Sequence, residues 1–156
     1  MVALEFRPYD PNIDRDTVLE FLMETVALGS EEPADLEQQR GHYLPALERT
    51  LSRDPRCVSL ALLDGRVAGF VDAFPMPVRP QTGFMRFLYV VPQARGTGLS
   101  DRILDFSDRL LREHGCDQVL LDVRKGNLRA VAFYRRHGWK VLEQREGGFL
   151  RMRREL

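Results

Sequence analysis

The sequence is poor in cysteine: Cys57 and Cys116 are the only two in 156 residues. Two cysteines make no disulfide framework. Together with three scattered histidines, His42, His114 and His137, they show no zinc-ligand spacing, so no metal site is expected. A surplus of either charge is also missing, because 23 Lys and Arg balance 23 Asp and Glu. Chains that work by gripping nucleic acid usually carry a basic excess, so no nucleic-acid partner is expected. No apolar run approaches the roughly 18 residues that span a bilayer, and MVALEFRPYD lacks the basic start and apolar stretch of a signal peptide. A soluble cytoplasmic chain without a membrane partner is the expectation. Repeats and low-complexity tracts are absent as well. What remains is 44% hydrophobic with zero net charge, which reads as globular rather than disordered, and the length suits one domain over residues 1–156.

Punctuation along the chain gives a coarse element order. Leu4 to Tyr9 reads as a strand ending at Asp10-Pro11, and Thr17 to Leu28 as a helix that Gly29 closes. An acid-rich turn, SEEPAD, leads to a second helix from about Ala34 to Ser52, with a stripe of Leu36, Leu44, Leu47 and Leu51. Pro45 is expected to kink that helix or split it. Val58 to Leu63 and Arg66 to Phe74 flank Asp64-Gly65, a favoured hairpin turn. The proline-rich stretch Pro75 to Pro80 is expected to leave the sheet, and Phe84 to Val91 to be the next strand. Leu99 to His114 is an amphipathic helix capped by Gly115, Val119 to Val123 a buried strand, and Leu128 to His137 a helix capped by Gly138. Strands at Lys140 to Gln144 and Phe149 to Arg153 close the chain around Gly147-Gly148. The order β-α-α-β-β-β-α-β-α-β-β implies an α/β fold, a mixed sheet covered by helices.

The most informative segment is FLYVVPQARGTGLSDRIL, Phe87 to Leu104. A strand stops at a proline, and Arg95-Gly96-Thr97-Gly98-Leu99-Ser100 opens a helix. Glycines let backbone approach a ligand closely, and free N–H groups at a helix start converge on one point, which suits a phosphate or pyrophosphate. The turn is neither a Walker loop nor a spaced G-x-G-x-x-G. Its other reading is a tight strand-to-helix connection in which the glycines serve only the turn.

With the strand LYVVP before it, this loop resembles the acyl-CoA pyrophosphate loop of the GCN5-related N-acetyltransferase (GNAT) superfamily. VRKGNLRAVAFYRRHGW, Val123 to Trp139, is similar to that family's N-x-x-A-x-x-F-Y-x-x-x-G-[FW] segment at Asn127, Ala130, Phe133, Tyr134, Gly138 and Trp139. The element order is also the family's, so the likeness covers nearly the whole chain. One position departs: Ser100 stands where the loop normally ends in Gly or Ala, small enough to fit and able to donate to a phosphate oxygen.

The resemblance implies acetyl-CoA (coenzyme A) as donor and an N-acetyltransferase acting by direct attack in a ternary complex. Two parallel strands, Phe84 to Val91 and Val119 to Val123, would splay to admit the pantetheine arm. Backbone of Leu88, Tyr89 and Val90 would bond the arm, and amides of Arg95 through Ser100 would hold the diphosphate. The Arg95 side chain either pairs with phosphate or is a solvated surface arginine. Asn127 is a cofactor ligand, the N-cap of the helix at Leu128, or both.

Tyr134 is the candidate acid for the leaving sulfur; its other reading is a ring packed beside Phe133. Asp122, twelve positions earlier in LLDVRKGN, is the candidate base, where some ribosomal-protein acetyltransferases of the family place a Glu. It is equally readable as a plain polar residue of its strand, and Asp72 is a second candidate. Moving a proton from a Lys ammonium (pKa about 10.4) to an Asp (about 3.9) costs roughly 9 kcal/mol, and from an α-amino group (about 7.8) roughly 5 kcal/mol. An α-amino or other low-pKa amine therefore fits the site better than lysine.

The acceptor is expected to be a primary amine, a small molecule or a peptide N-terminus. Glu24, Glu31, Glu32, Asp35 and Glu37, with His42 and Tyr43 beyond, either draw in a cationic amine or form a solvated surface. Arg151, Arg153 and Arg154 read as a charged sheet edge rather than a phosphate contact. A homodimer is open, since the family often pairs through its last strands. The rival readings are a non-catalytic acyl-CoA sensor and transfer of another acyl group.

Overall fold

The computed structural model describes residues 2–27 and 33–156, with the side chains of 33–37 and 39 outside that description. Gly29, Glu31 and Glu32 therefore lie outside the described residues, as do the side chains of Leu36, Asp35 and Glu37. Among the described residues, seven strands and four α-helices follow in the expected order: β1 (Leu4–Pro8), α1 (Pro11–Ala27), α2 (Pro33–Arg53), β2 (Val58–Leu63), β3 (Arg66–Met76), β4 (Arg79–Val90), α3 (Leu99–Glu113), β5 (Gln118–Arg124), α4 (Leu128–Arg136), β6 (Lys140–Arg145) and β7 (Phe149–Glu155).

The strands form one sheet in the order β1-β2-β3-β4-β5-β7-β6. Alternation along each strand sends neighbours to opposite faces. Leu60, Phe70 and Phe87 pack with Val18 of α1 and Leu47 of α2. Ala61, Val71 and Leu121 pack with Ile103 and Leu111 of α3 and Val131 of α4. Each face of the sheet thus carries its own apolar layer, and the helices cover both. The β2–β3 turn has Asp64 at φ 49° and Gly65 at φ 81°, the pair of left-handed residues a tight two-residue hairpin needs.

Two expectations are corrected. The stretch Pro75 to Pro80 does not leave the sheet: β3 runs to Met76 and β4 starts at Arg79, with Pro75 opposite Gly83. Both prolines sit where their strand has a single neighbour, because β2 pairs with β3 only as far as Asp72 and β5 joins β4 only from Thr82. A missing N–H costs no ladder bond on an open side. Of the two outcomes expected for Pro45, a kink or a split, the split does not occur: α2 is one helix with the proline inside it. Tyr43, Leu47 and Thr50, on either side of the proline, are all buried against the body of the protein, while Pro45 itself is exposed. That packing outweighs the loss of one helical bond.

Pairing of β4 with β5 positions the site. It is the sheet's parallel pair and spans just Thr82–Gln118, Gly83–Val119 and Phe84–Leu120. Beyond Phe84, β4 stays paired to β3 and, beyond Leu120, β5 stays paired to β7. The facing edges of Leu88–Val90 and Leu121–Arg124 are left without a common ladder, and a cleft opens between them.

Candidate active site

Two cavities meet in that cleft. The first, of about 640 Å³, is bounded by Leu88, Tyr89 and Val90 of β4, the loop residues Arg95, Gly96, Gly98 and Ser100, and one face of α4. The second, of about 450 Å³, lies toward α1 and α2 and is bounded by Tyr43, Arg86, Asp122, Arg124 and Phe149. Thr25, Leu88, Asn127, Ala130 and Tyr134 line both. Tyr134 therefore stands at the passage between them.

The loop is shaped by its glycines. Gly96 (φ 78°) and Gly98 (φ 84°) are left-handed, and a Cβ at either would meet nothing within 4 Å, so space lies open in front of the backbone. Gly98 is the N-cap of α3 and has no side chain to satisfy the first-turn amides. The first helical bond is from Arg102 N–H to Gly98 C=O at 3.3 Å. An uncapped helix start beside an open glycine cradle is suited to an anion. Thr97 and Leu99 turn their side chains away, Thr97 donating its hydroxyl to Ala94 C=O and Leu99 entering the core, so only their amides remain for a ligand.

The Arg95 side chain is engaged inside the protein. Its Nε donates to Val90 C=O at 3.0 Å and its Nη2 to Glu24 Oε1 at 3.1 Å. Tyr89, stacked on Phe21, donates its hydroxyl to the same Glu24 carboxylate. Burial, with Glu24 adding to it, pushes the Tyr89 phenol up to about 12. Glu24 thus ties the loop to α1. Asn127 accepts from Ala130 N–H at 3.2 Å and caps α4, and it lines both cavities, its amide NH₂ having no acceptor among the described residues.

Tyr134 is nine-tenths buried, edge-on to Phe133 and Trp139, and its hydroxyl has no partner among the described residues. Burial alone pushes its phenol well above the ordinary range. The proton is therefore firmly held at neutral pH. Asp122 points into the second cavity with both oxygens bound by Arg151, at 2.8 and 2.9 Å. Two of its four lone-pair sites remain. Asp72, the second base candidate, is fully buried beneath that cavity, where Arg86 grips it at 2.5 and 3.0 Å and Tyr43 donates to it at 3.2 Å. It is a structural ion pair with no route to an acceptor's proton.

Arg86, Arg49 and Arg124 were missed by reasoning from sequence. A signal existed for Arg86: it interrupts the apolar alternation of Phe84 to Val90. Asp72 pairs with Phe87 and Ala73 with Met85, so Arg86 is the extra residue of a bulge that turns it toward α2.

The model of the acetyltransferase (GNAT) family matches residues 19–139. The chain belongs to that family. Over 86 residues the chain is 34% identical to a mycothiol acetyltransferase of Saccharomonospora viridis, a match covering 51% of the chain and 28% of that relative. The chain thus spans well under half the length of the curated relative it matches. Among solved structures, the PaiA N-acetyltransferase of Thermoplasma acidophilum, in complex with coenzyme A, superposes with a TM-score of 0.79 at 18% identity over 99% of both chains. Ard1 of Thermoplasma volcanium gives 0.75 at 20% identity, over 99% of this chain and 98% of that one. Both likenesses concern the fold. The family's acyl donor is acetyl-CoA, and the cleft's open glycine loop and uncapped α3 start fit its diphosphate.

Proposed function

We propose that this GNAT chain is an N-acetyltransferase that moves acetyl from acetyl-CoA to a primary amine, on a small molecule or a peptide N-terminus, by direct attack in a ternary complex. The observation that carries the reading is the placement of Tyr134 between a cavity walled by the glycine loop and a second cavity walled by Asp122.

In this reading the amides from Arg95 to Ser100 hold the diphosphate, and the free edge of Leu88, Tyr89 and Val90 bonds the arm as a strand would. The Ser100 hydroxyl and the Asn127 amide donate along the same wall. Bound acetyl-CoA supplies an activated acetyl group on a sulfur that needs a proton when the bond to it breaks. Tyr134 provides that proton from its Oη. Its raised pKa does not defeat the transfer, because a thiol in a dry setting is raised too: burial takes Cys57 of this same protein up to about 12. What governs the step is the difference between the two acids.

Asp122 takes the proton of the acceptor amine through a lone pair that Arg151 leaves open. The roughly 5 kcal/mol cost from an α-amino group, against roughly 9 kcal/mol from lysine, favours acceptors of low amine pKa. Neither cysteine serves as a covalent carrier, since Cys57 and Cys116 are buried outside both cavities.

The test is thiol release from acetyl-CoA with a panel of amino acids, peptides and polyamines. Acceptor-dependent release, abolished when the amine is blocked, supports the reading. Tight coenzyme A binding with no release for any amine would make the chain an acyl-CoA sensor instead.

A further inference from the structure

We infer that the acceptor is a small amine that also bears a carboxylate, its amine held near Tyr134 and Asp122 and its carboxylate by Arg86 and Arg49. This rests on the acetyltransferase reading above and adds the substrate class.

The second cavity, about 450 Å³, is of a size for a small metabolite. Its wall toward α2 carries a cation that the fold has gone to some length to fix. Nε and Nη2 of Arg86 are pinned on Asp72, and Nη2 also donates to Thr50 Oγ1 at 3.0 Å. The guanidinium lies over the Phe74 ring at 4.8 Å and the Tyr43 ring at 5.6 Å. Its side chain is only 21% exposed. Burying such a pair brings little stability by itself, since desolvation offsets the attraction. Nη1 has no acceptor among the described residues, and Arg86 lines the cavity. A guanidinium held at two donors with its third nitrogen unspent is prearranged for an oxygen anion.

Arg49 stands beside it. Ala46 and Thr50, which flank Arg49 on α2, both accept from Arg86, and Arg49 lines the same cavity from the exposed face. Across the cavity are Arg124, stacked on Phe149 at 4.6 Å, and Asp122, already held by Arg151. Among the described residues the lining is cationic, with Asp122 its one carboxylate. A polyamine would bring its further cations against like charge, whereas an amino-carboxylate places one charge of each sign where its opposite waits. The acids around Glu31 in the sequence suggest the reverse, a polycationic acceptor, so the two ideas separate experimentally.

Thiol release from acetyl-CoA by the full chain is measured for α- and ω-amino carboxylates, the matching carboxamides, short peptide amides and spermidine. With kcat/KM expressed per neutral amine, because a carboxylate raises the pKa of the amine beside it, the best carboxylate should exceed its carboxamide by about 10- to 100-fold, the worth of one charged hydrogen-bonded contact, and the difference should lie in KM. Arg86→Gln strands Asp72 inside the protein, so the variant to read is Arg49→Gln, on the exposed helix face. It should shrink the carboxylate-to-carboxamide ratio by about tenfold, with Arg49→Lys recovering most of it. Equal kcat/KM per neutral amine for acid and amide, or a best acceptor on that scale that is spermidine or a peptide amide, overturns the inference and leaves the acetyltransferase standing. No release with any amine overturns both.

Discussion

Arg151 clasps Asp122 at two points, Nε on Oδ1 at 2.8 Å and Nη2 on Oδ2 at 2.9 Å. The candidate base is therefore oriented by a neighbour on β7, its register partner across the sheet. Such a bidentate clasp fixes the direction in which the carboxylate's remaining lone pairs point. Asp122→Asn is expected to lower kcat/KM about 10²- to 10³-fold at pH 7 for an acceptor of ordinary amine pKa. The deficit should shrink as pH passes the acceptor's pKa, because the amine then arrives neutral. A pH–rate comparison of the two proteins checks this, and a deficit of the same size at every pH removes Asp122 from the role of base.

Tyr134→Phe keeps the ring packed between Phe133 and Trp139 and removes only the hydroxyl. Turnover is expected to fall about 10²- to 10⁴-fold with little change in coenzyme A affinity or melting temperature. Because burial raises the phenol pKa, no alkaline loss of rate below pH ~10 should trace to this residue. Unchanged turnover in steady-state assays would show that Tyr134 only packs.

Gly98→Val places a branched side chain at φ 84° and in the open space ahead of the α3 amides. The backbone cost is about 1–2 kcal/mol, leaving a folded protein. Titration calorimetry should find coenzyme A affinity reduced by at least about 30-fold, the energetic equivalent of losing one charged backbone contact near the diphosphate. Retained affinity would mean that the loop serves the turn alone.

Asp54 offers a stability test away from the site. Burial pushes its carboxyl up, and the Arg56 side chain and amide, with His114 at 2.7 Å, outweigh that and hold it at about 2. The folded value lies below the unfolded one near 3.9, so the contribution is present above about pH 4 and is lost as pH falls through about 2. Asp54→Asn should cost at most about 2 kcal/mol at pH 7. Urea unfolding at a series of pH values should show the gap between the two proteins closing between pH 4 and 2.

Gly69 and Gly83 are strand glycines against which α3 packs. A Cβ at Gly69 would lie 2.7 Å from Ile103 Cδ1 and 2.9 Å from Tyr89 C=O. Gly69→Ala is expected to destabilise by about 1–3 kcal/mol through overpacking. Gly126→Ala, whose Cβ meets nothing within 4 Å, is the matched control. Equal melting temperatures for the two variants would contradict the close approach of α3.

Local chemistry made much of the architecture readable. Asp64-Gly65 selects a hairpin, Gly115 and Gly138 (φ 84° and 85°) end their helices, and apolar spacing gives α3 and α4 their buried faces. The two motifs, one in the glycine loop and one through Tyr134, were legible because their glycine, asparagine and aromatic positions act within a single turn or helix. Prolines misled, since their effect depends on what lies beside them. Pro75 and Pro80 are harmless where a strand has one neighbour, and Pro45 is held in α2 by Tyr43 and Leu47, contacts that involve distant chain.

Sequence alone therefore determined the element order, the glycine loop at the start of α3 and Tyr134 on the face of α4, all consequences of preferences acting over a few residues. Tertiary structure decided what those parts meet. Pairing across the sheet put Arg151 on Asp122, the bulge in β4 turned Arg86 onto Asp72, and Arg95 was spent on Glu24 rather than left to the solvent. An ion pair between residues far apart in the chain depends on register and on which face is buried, and those are fixed only when the strands and helices have found one another.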